Sequence, residues 1–146
     1  MHLAKPTLLV VDDDHLMLET LKKLLSHFGF NVVGHTDSVA ALATLQQRND
    51  IAIMVCDYEM PDINGEELAR AAKKRFPGMP VFVLSGSYPP TNVECHPWDG
   101  WFLKGAPITE LVRKLNAVVP LATAAAKSVP GVPSGDSPHD DTVAVS

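Results

Sequence analysis

Residues 51–56, Ile-Ala-Ile-Met-Val-Cys, are apolar without interruption and stop abruptly on Asp57. A strand with one wet face alternates apolar and polar residues. A strand with no alternation must be covered on both faces, the condition met in a parallel sheet sandwiched between helices. Shorter runs repeat the theme at Leu8–Val11, Val32–Val33, Val81–Leu84 and Trp101–Leu103.

The intervening segments carry helical spacing. Met17, Leu21, Leu24 and Phe28 recur on one face before Gly29 supplies a stop; Val39, Leu42 and Leu45 follow Ser38, which is expected to cap the second helix. Residues 65–76 place Leu68, Ala72 and Phe76 together, with Glu66 and Glu67 at the end where negative charge suits the helix dipole. A last helix carries Ile108, Leu111, Val112, Leu115 and Val119. Strands alternating with helices imply right-handed βαβ units and a doubly wound α/β domain. Between Gly86 and Gly100, Pro89, Pro90 and Pro97 interrupt any helical period, so a helix there is expected to be shortened, distorted or absent.

The polar residues fall where the strands end. Asp12, Asp13 and Asp14 follow the first run, Asp57 the third, Ser85 the fourth and Lys104 the fifth. Open parallel sheets bind ligands at the carboxyl ends of their strands, so four strands deliver polar groups to one rim. Converging carboxylates repel unless a cation offsets them, and Mg²⁺ suits a few carboxylates plus phosphate oxygens. An aspartate can act as nucleophile towards phosphorus while a lysine and a hydroxyl contact phosphoryl oxygens. Taken alone, Asp14 reads better as a helix cap than as a ligand. Cys56, inside an apolar run, reads as a buried reduced thiol, and Cys95-His96 lacks metal-site spacing.

These residues carry a resemblance. Val10-Val11-Asp12-Asp13-Asp14, Asp57-Tyr58-Glu59-Met60-Pro61 with Gly65 downstream, Leu84-Ser85 and Phe102-Leu103-Lys104 together resemble the response-regulator receiver family of two-component signalling, over about residues 6 to 119. The resemblance implies a five-stranded flavodoxin-like sheet of order 2-1-3-4-5. It implies Asp57 as phosphoacceptor, with Lys104 and Ser85 as its catalytic companions. Asp12, Asp13, Asp57 and the main-chain carbonyl of Glu59 are implied as the Mg²⁺ site, and Trp101 as an aromatic that reports phosphorylation. Glu59 and Ser87 occupy positions that tune the lifetime of the phosphorylated form in similar proteins. Two features depart from the family: Lys104-Gly105 replaces the usual Lys-Pro, and the 85–104 segment is short and proline-rich.

The functional expectation is a phosphoacceptor switch charged by a histidine kinase or histidine phosphotransfer protein. It is not an enzyme beyond its own phosphorylation and dephosphorylation, and it acts through contacts with a downstream protein. A net charge of −5 and a tail after residue 119 without basic helices argue against nucleic acid, and no apolar run is long enough for a bilayer. A cytoplasmic protein is expected. Residues 1–119 form the expected receiver domain. Residues 120–146, with four prolines and four serines, read as a low-complexity, disordered tail in which Ala122–Lys127 can form a turn or two of helix. Two other readings remain open at this point. One is a receiver-like binding module that does not signal by phosphate. The other is an aspartate-nucleophile phosphatase, disfavoured because such enzymes separate two aspartates by one residue after the first strand, whereas Asp12, Asp13 and Asp14 are contiguous.

Overall fold

The computed structural model describes residues 5–91 and 95–127, with backbone only for 120–127. Its elements are β1 (Thr7–Val11), α1 (His15–His27), β2 (Asn31–His35), α2 (Ser38–Gln47), β3 (Ile51–Asp57), α3 (Gly65–Arg75), β4 (Val81–Ser85), β5 (Gly100–Leu103) and α4 (Ile108–Lys127). The strands form one parallel sheet in the order β2-β1-β3-β4-β5.

Every residue of β3 is buried, as its unbroken apolar run requires. Its side chains alternate between two cores. Met54 and Cys56 join Leu9, Val11 and Val83 under Ala41, Leu45, Leu68 and Ala72 of α2 and α3. Ile53 and Val55 join Leu8, Val10 and Phe82 under Leu21, Leu25, Leu111 and Leu115 of α1 and α4. Two helices therefore cover each face, which is the doubly wound arrangement. Burying each large side chain removes roughly 1.5–3 kcal/mol of unfavourable hydration, so this two-sided core dominates the fold's stability.

Three helix details differ from the expected pattern. The buried stripe of α1 is Leu18, Leu21 and Leu25, and Phe28 is 42% exposed while Phe30 takes the core position after the turn. The apolar residues of α1 outnumber the positions on one face, so contact with the sheet decides which stripe goes in. In α2 the core positions are Ala41 and Leu45, and Val39 is exposed. Its cap is Asp37, whose carboxylate accepts from the Val39 amide at 3.0 Å, leaving the buried Ser38 hydroxyl free for other use.

Leu68, Ala72 and Phe76 are buried as expected, and α3 opens on a capping box between Asn64 and Glu67. Among the described residues no helix stands between β4 and β5, in keeping with the prolines of that segment. The last helix runs on to Lys127, past the composition change at Pro120, and the remainder of the expected tail lies outside the described residues.

Candidate functional site at the carboxyl rim of the sheet

Strand register sets the site. Val11 pairs with Cys56, Asp57 with Leu84 and Ser85 with Leu103. The next residues in line, Asp12 after β1 and Lys104 after β5, therefore reach the same rim as Asp57 and Ser85. The Asp12 amide extends the ladder by donating to the His35 carbonyl at 3.1 Å, and the Lys104 amide does so by donating to the Ser85 carbonyl at 2.8 Å.

The charged groups converge. The Lys104 ammonium lies 3.1 Å from Asp12 Oδ2 and 3.2 Å from Asp57 Oδ2, and both carboxylates are almost fully buried. One carboxylate oxygen from each of Asp12, Asp13 and Asp57 falls within 4.8 Å of the others; of the three residues only Asp13 is exposed to solvent. Burial first, and then the Asp12 charge, pushes the Asp57 carboxyl up to about 6, with Lys104 pulling the other way. Burial works against the Lys104 ammonium, yet Asp12 and Asp57 outweigh it and hold its pKa above the ordinary value.

A hard divalent cation fits this donor set. Asp12 Oδ1 accepts from the Asp14 amide at 2.9 Å, but the buried Oδ2 has the lysine charge beside it and no donor in hydrogen-bond geometry. Three carboxylates sharing one lysine leave net negative charge at a partly buried rim, the condition that a bound Mg²⁺ relieves. Asp14 is spent elsewhere: its carboxylate caps α1, accepting from the Leu16 and Met17 amides at 3.0 and 3.2 Å.

Ser85 is buried at the end of β4, and its Oγ accepts from the Ser87 amide at 3.1 Å, so its hydroxyl proton is available to a second partner. Glu59 is exposed two residues beyond Asp57, in the loop between β3 and α3. The Trp101 indole donates to the Ser87 carbonyl at 2.8 Å, and its ring lies 5.1 Å from that of Tyr58, the residue following Asp57. The Trp98 ring, 5.0 Å from Trp101, completes an aromatic cluster beside the rim. The Cys56 thiol is buried next to this chemistry without joining it; burial pushes its pKa to about 12.

The 104–105 peptide is not cis, no cis bond being present among the described residues, and Gly105 has φ of +96°. Proline is confined to φ near −65°, so glycine at this position permits a turn that the usual Lys-Pro cannot make.

Two positioning features lay beyond the residue pattern. A Cβ on Gly65 would come within 2.5 Å of the Asp57 carbonyl oxygen and 2.7 Å of the Tyr58 Cα, so α3 starts directly against the site. Gly65 stands in the motif, yet only tertiary contact gives it that reason. Tyr58, whose phenol is held above its ordinary pKa first by burial and then by the neighbouring Glu66 carboxylate, links the rim to α3. In the sequence it stood in the motif directly after Asp57, with no role of its own assigned.

Comparison with known proteins gives a consistent picture. Residues 8–95 match the sequence profile of the response regulator receiver domain. The chain is 38% identical over 91 residues to the putative two-component response regulator ARR21 of Arabidopsis thaliana, covering 62% of this chain but only 14% of that protein. It is 29% identical over 123 residues to the two-component response regulator ORR13 of Oryza sativa subsp. japonica, covering 80% of this chain and all of that one. Among solved structures, the response regulator TrrA of Thermotoga maritima in complex with Mg²⁺ and BeF superposes with a TM-score of 0.71 at 24% identity, covering 77% of this chain and 97% of that one.

Proposed function

The chain belongs to the response regulator receiver domain family, and from that premise we propose that it takes a phosphoryl group on Asp57 and uses the event as a conformational switch. The single observation that carries the reading is the convergence of Asp12, Asp13, Asp57 and Lys104 on one rim. In the transfer, an Asp57 oxygen forms a bond to phosphorus while the bond from phosphorus to the donor breaks, and the departing group takes up a proton. The donor is a phosphohistidine of a histidine kinase or of a histidine phosphotransfer protein, whose imidazole is then the leaving group.

The residues divide the work. Asp57 is the nucleophile, Lys104 pairs with a phosphoryl oxygen, and the Ser85 hydroxyl donates to another. Asp12, Asp13, Asp57 and the Glu59 carbonyl hold Mg²⁺, which when bound offsets the negative charge of nucleophile and donor. The pairing of Mg²⁺ with BeF in TrrA supports the choice of ion. The protein needs no further catalytic apparatus and is not an enzyme in the usual sense. The phosphorylated form speaks to a downstream protein partner, not to nucleic acid or membrane, and the setting is cytoplasmic; no helix among the described residues is long and apolar enough to cross a membrane. The domain spans residues 1–119.

A binding module that ignores phosphate draws on Lys104-Gly105 and on the absence, among the described residues, of a helix between β4 and β5. The position of the Lys104 ammonium, 3.1 and 3.2 Å from the two buried carboxylates, favours the phosphoacceptor instead. The test is intact-mass measurement after incubation with Mg²⁺ and a small acyl phosphate. The expected result is one added phosphoryl group, absent without Mg²⁺ and absent in Asp57→Asn. Folded wild-type protein of unchanged mass, beside a receiver control that is modified, overturns the proposal in favour of the binding module. Sustained hydrolysis of an added phosphomonoester would instead indicate a phosphatase.

A further inference from the structure

The loop between β3 and α3 contains a strained turn. Asp62 has φ of +69°, and the Ile63 amide donates back to the Pro61 carbonyl at 2.8 Å, across two residues. This combination marks the rare positive-φ form of the γ-turn, which costs free energy and persists only where its surroundings hold it.

Met60 and Ile63 on either side of the turn pack against the core, and the polar part of the hold is a hydroxyl from another element. Ser38, at the start of α2 and 2% exposed, donates from Oγ to the Pro61 carbonyl at 3.0 Å and accepts from the Ile63 amide at 3.3 Å. The two backbone groups that close the turn are therefore the two that Ser38 engages. Asp37 caps α2, which leaves the Ser38 hydroxyl to make these bonds. At its ends the loop is tied by the Gly65 amide donating to the Tyr58 carbonyl at 2.7 Å and by the Asn64–Glu67 capping box. Between those ties Met60 and Ile63 pack against the core, and Ser38 supplies the side-chain hydrogen bonds to the turn itself.

We infer that Ser38 is a positioning residue for the phosphorylation site, bracing the strained turn and so fixing the Tyr58–Asn64 loop that carries Glu59. The consequence for the ion rests on the function proposed above; the brace itself does not. Ser38 contacts neither ion nor phosphoryl group and acts through the backbone of Pro61 and Ile63.

Three measurements on the full chain test this. In metal-free protein, amide hydrogen exchange at Ile63 should quicken about fivefold in Ser38→Ala, the effect of losing one ordinary hydrogen bond, while core amides of α2 stay unchanged. Mg²⁺ affinity, followed by tryptophan fluorescence, should weaken about three- to tenfold, while phosphorylation at saturating Mg²⁺ stays near wild type. Adding Asp62→Gly to Ser38→Ala should restore most of that affinity, because glycine takes positive φ without strain. A merely structural loss would not be rescued this way. A folded Ser38→Ala protein with unchanged Ile63 exchange overturns the brace, and one with quickened exchange but wild-type Mg²⁺ affinity overturns the positioning role. Wild-type protein that binds no Mg²⁺ would sink the proposed function and with it the positioning role, while the exchange comparison still decides on the brace.

Discussion

Gly65 and the carbonyl of Asp57 are so close that a Cβ on the former would lie 2.5 Å from the oxygen of the latter. No rotamer choice relieves that clash, because both sides are backbone. Gly65→Ala is expected to push α3 off the rim, at a cost of about 1–3 kcal/mol in stability. Urea denaturation reads the stability. Phosphorylation by an acyl phosphate, measured under folded conditions, should slow as well, since Asp57 shares the displaced segment.

Asp57 makes the metal-free fold sensitive to pH. Its carboxyl is raised from 3.8 to about 6 in the fold, chiefly by burial, so ionisation is harder there than in the unfolded chain. The sign follows from linkage: this group weakens the fold as pH rises through that interval, and the penalty is complete above about pH 6. In chelator-treated protein, Asp57→Asn is expected to stabilise by about 1–3 kcal/mol at pH 7.5, the lower figure allowing for solvent screening at the rim. The gain should vanish near pH 4. An Asn variant less stable than wild type at both pH values contradicts this.

Lys104 is the cation that lets two buried carboxylates coexist. Lys104→Met leaves Asp12 and Asp57 facing each other, so the metal-free protein should lose roughly 1–3 kcal/mol at neutral pH, less than a fully buried pair because the ammonium is partly exposed. Millimolar Mg²⁺ should return part of that loss by supplying the missing positive charge. Thermal melts with and without the ion distinguish the two contributions.

Gly105→Pro restores the dipeptide usual in the family and is nevertheless expected to harm this chain. Gly105 sits at φ +96°, outside the range open to proline. The Ala106 amide donates to the Leu103 carbonyl across this turn at 3.1 Å, a bond that a rebuilt turn would lose. A loss of about 1–3 kcal/mol in denaturation is expected, with Gly105→Asn milder because asparagine tolerates positive φ.

Much of this was legible in the residues. The unbroken run of Ile51–Cys56 announced a strand covered on both faces, and the polar residues punctuating the strand ends foretold a common rim. Both signals are local: a strand's side-chain period is two, and where it stops decides which residue stands at the edge. The stripe of α1 was less readable, because Met17, Leu18, Leu21, Leu24, Leu25 and Phe28 offer more than one apolar face and the sheet chooses between them.

By itself, then, the sequence determined the kind of sheet, the number of its strands and the identity of the charged residues at its rim, since apolar runs and their acidic stops act through short-range geometry. Only the tertiary structure decided that Gly65 must lack a side chain, that Gly105 turns where proline cannot, and that the Ser38 hydroxyl leaves its own helix to hold Pro61 and Ile63. Each of these depends on contacts between segments distant in the chain or on a backbone angle that packing imposes, and neither is encoded in the spacing of residue types.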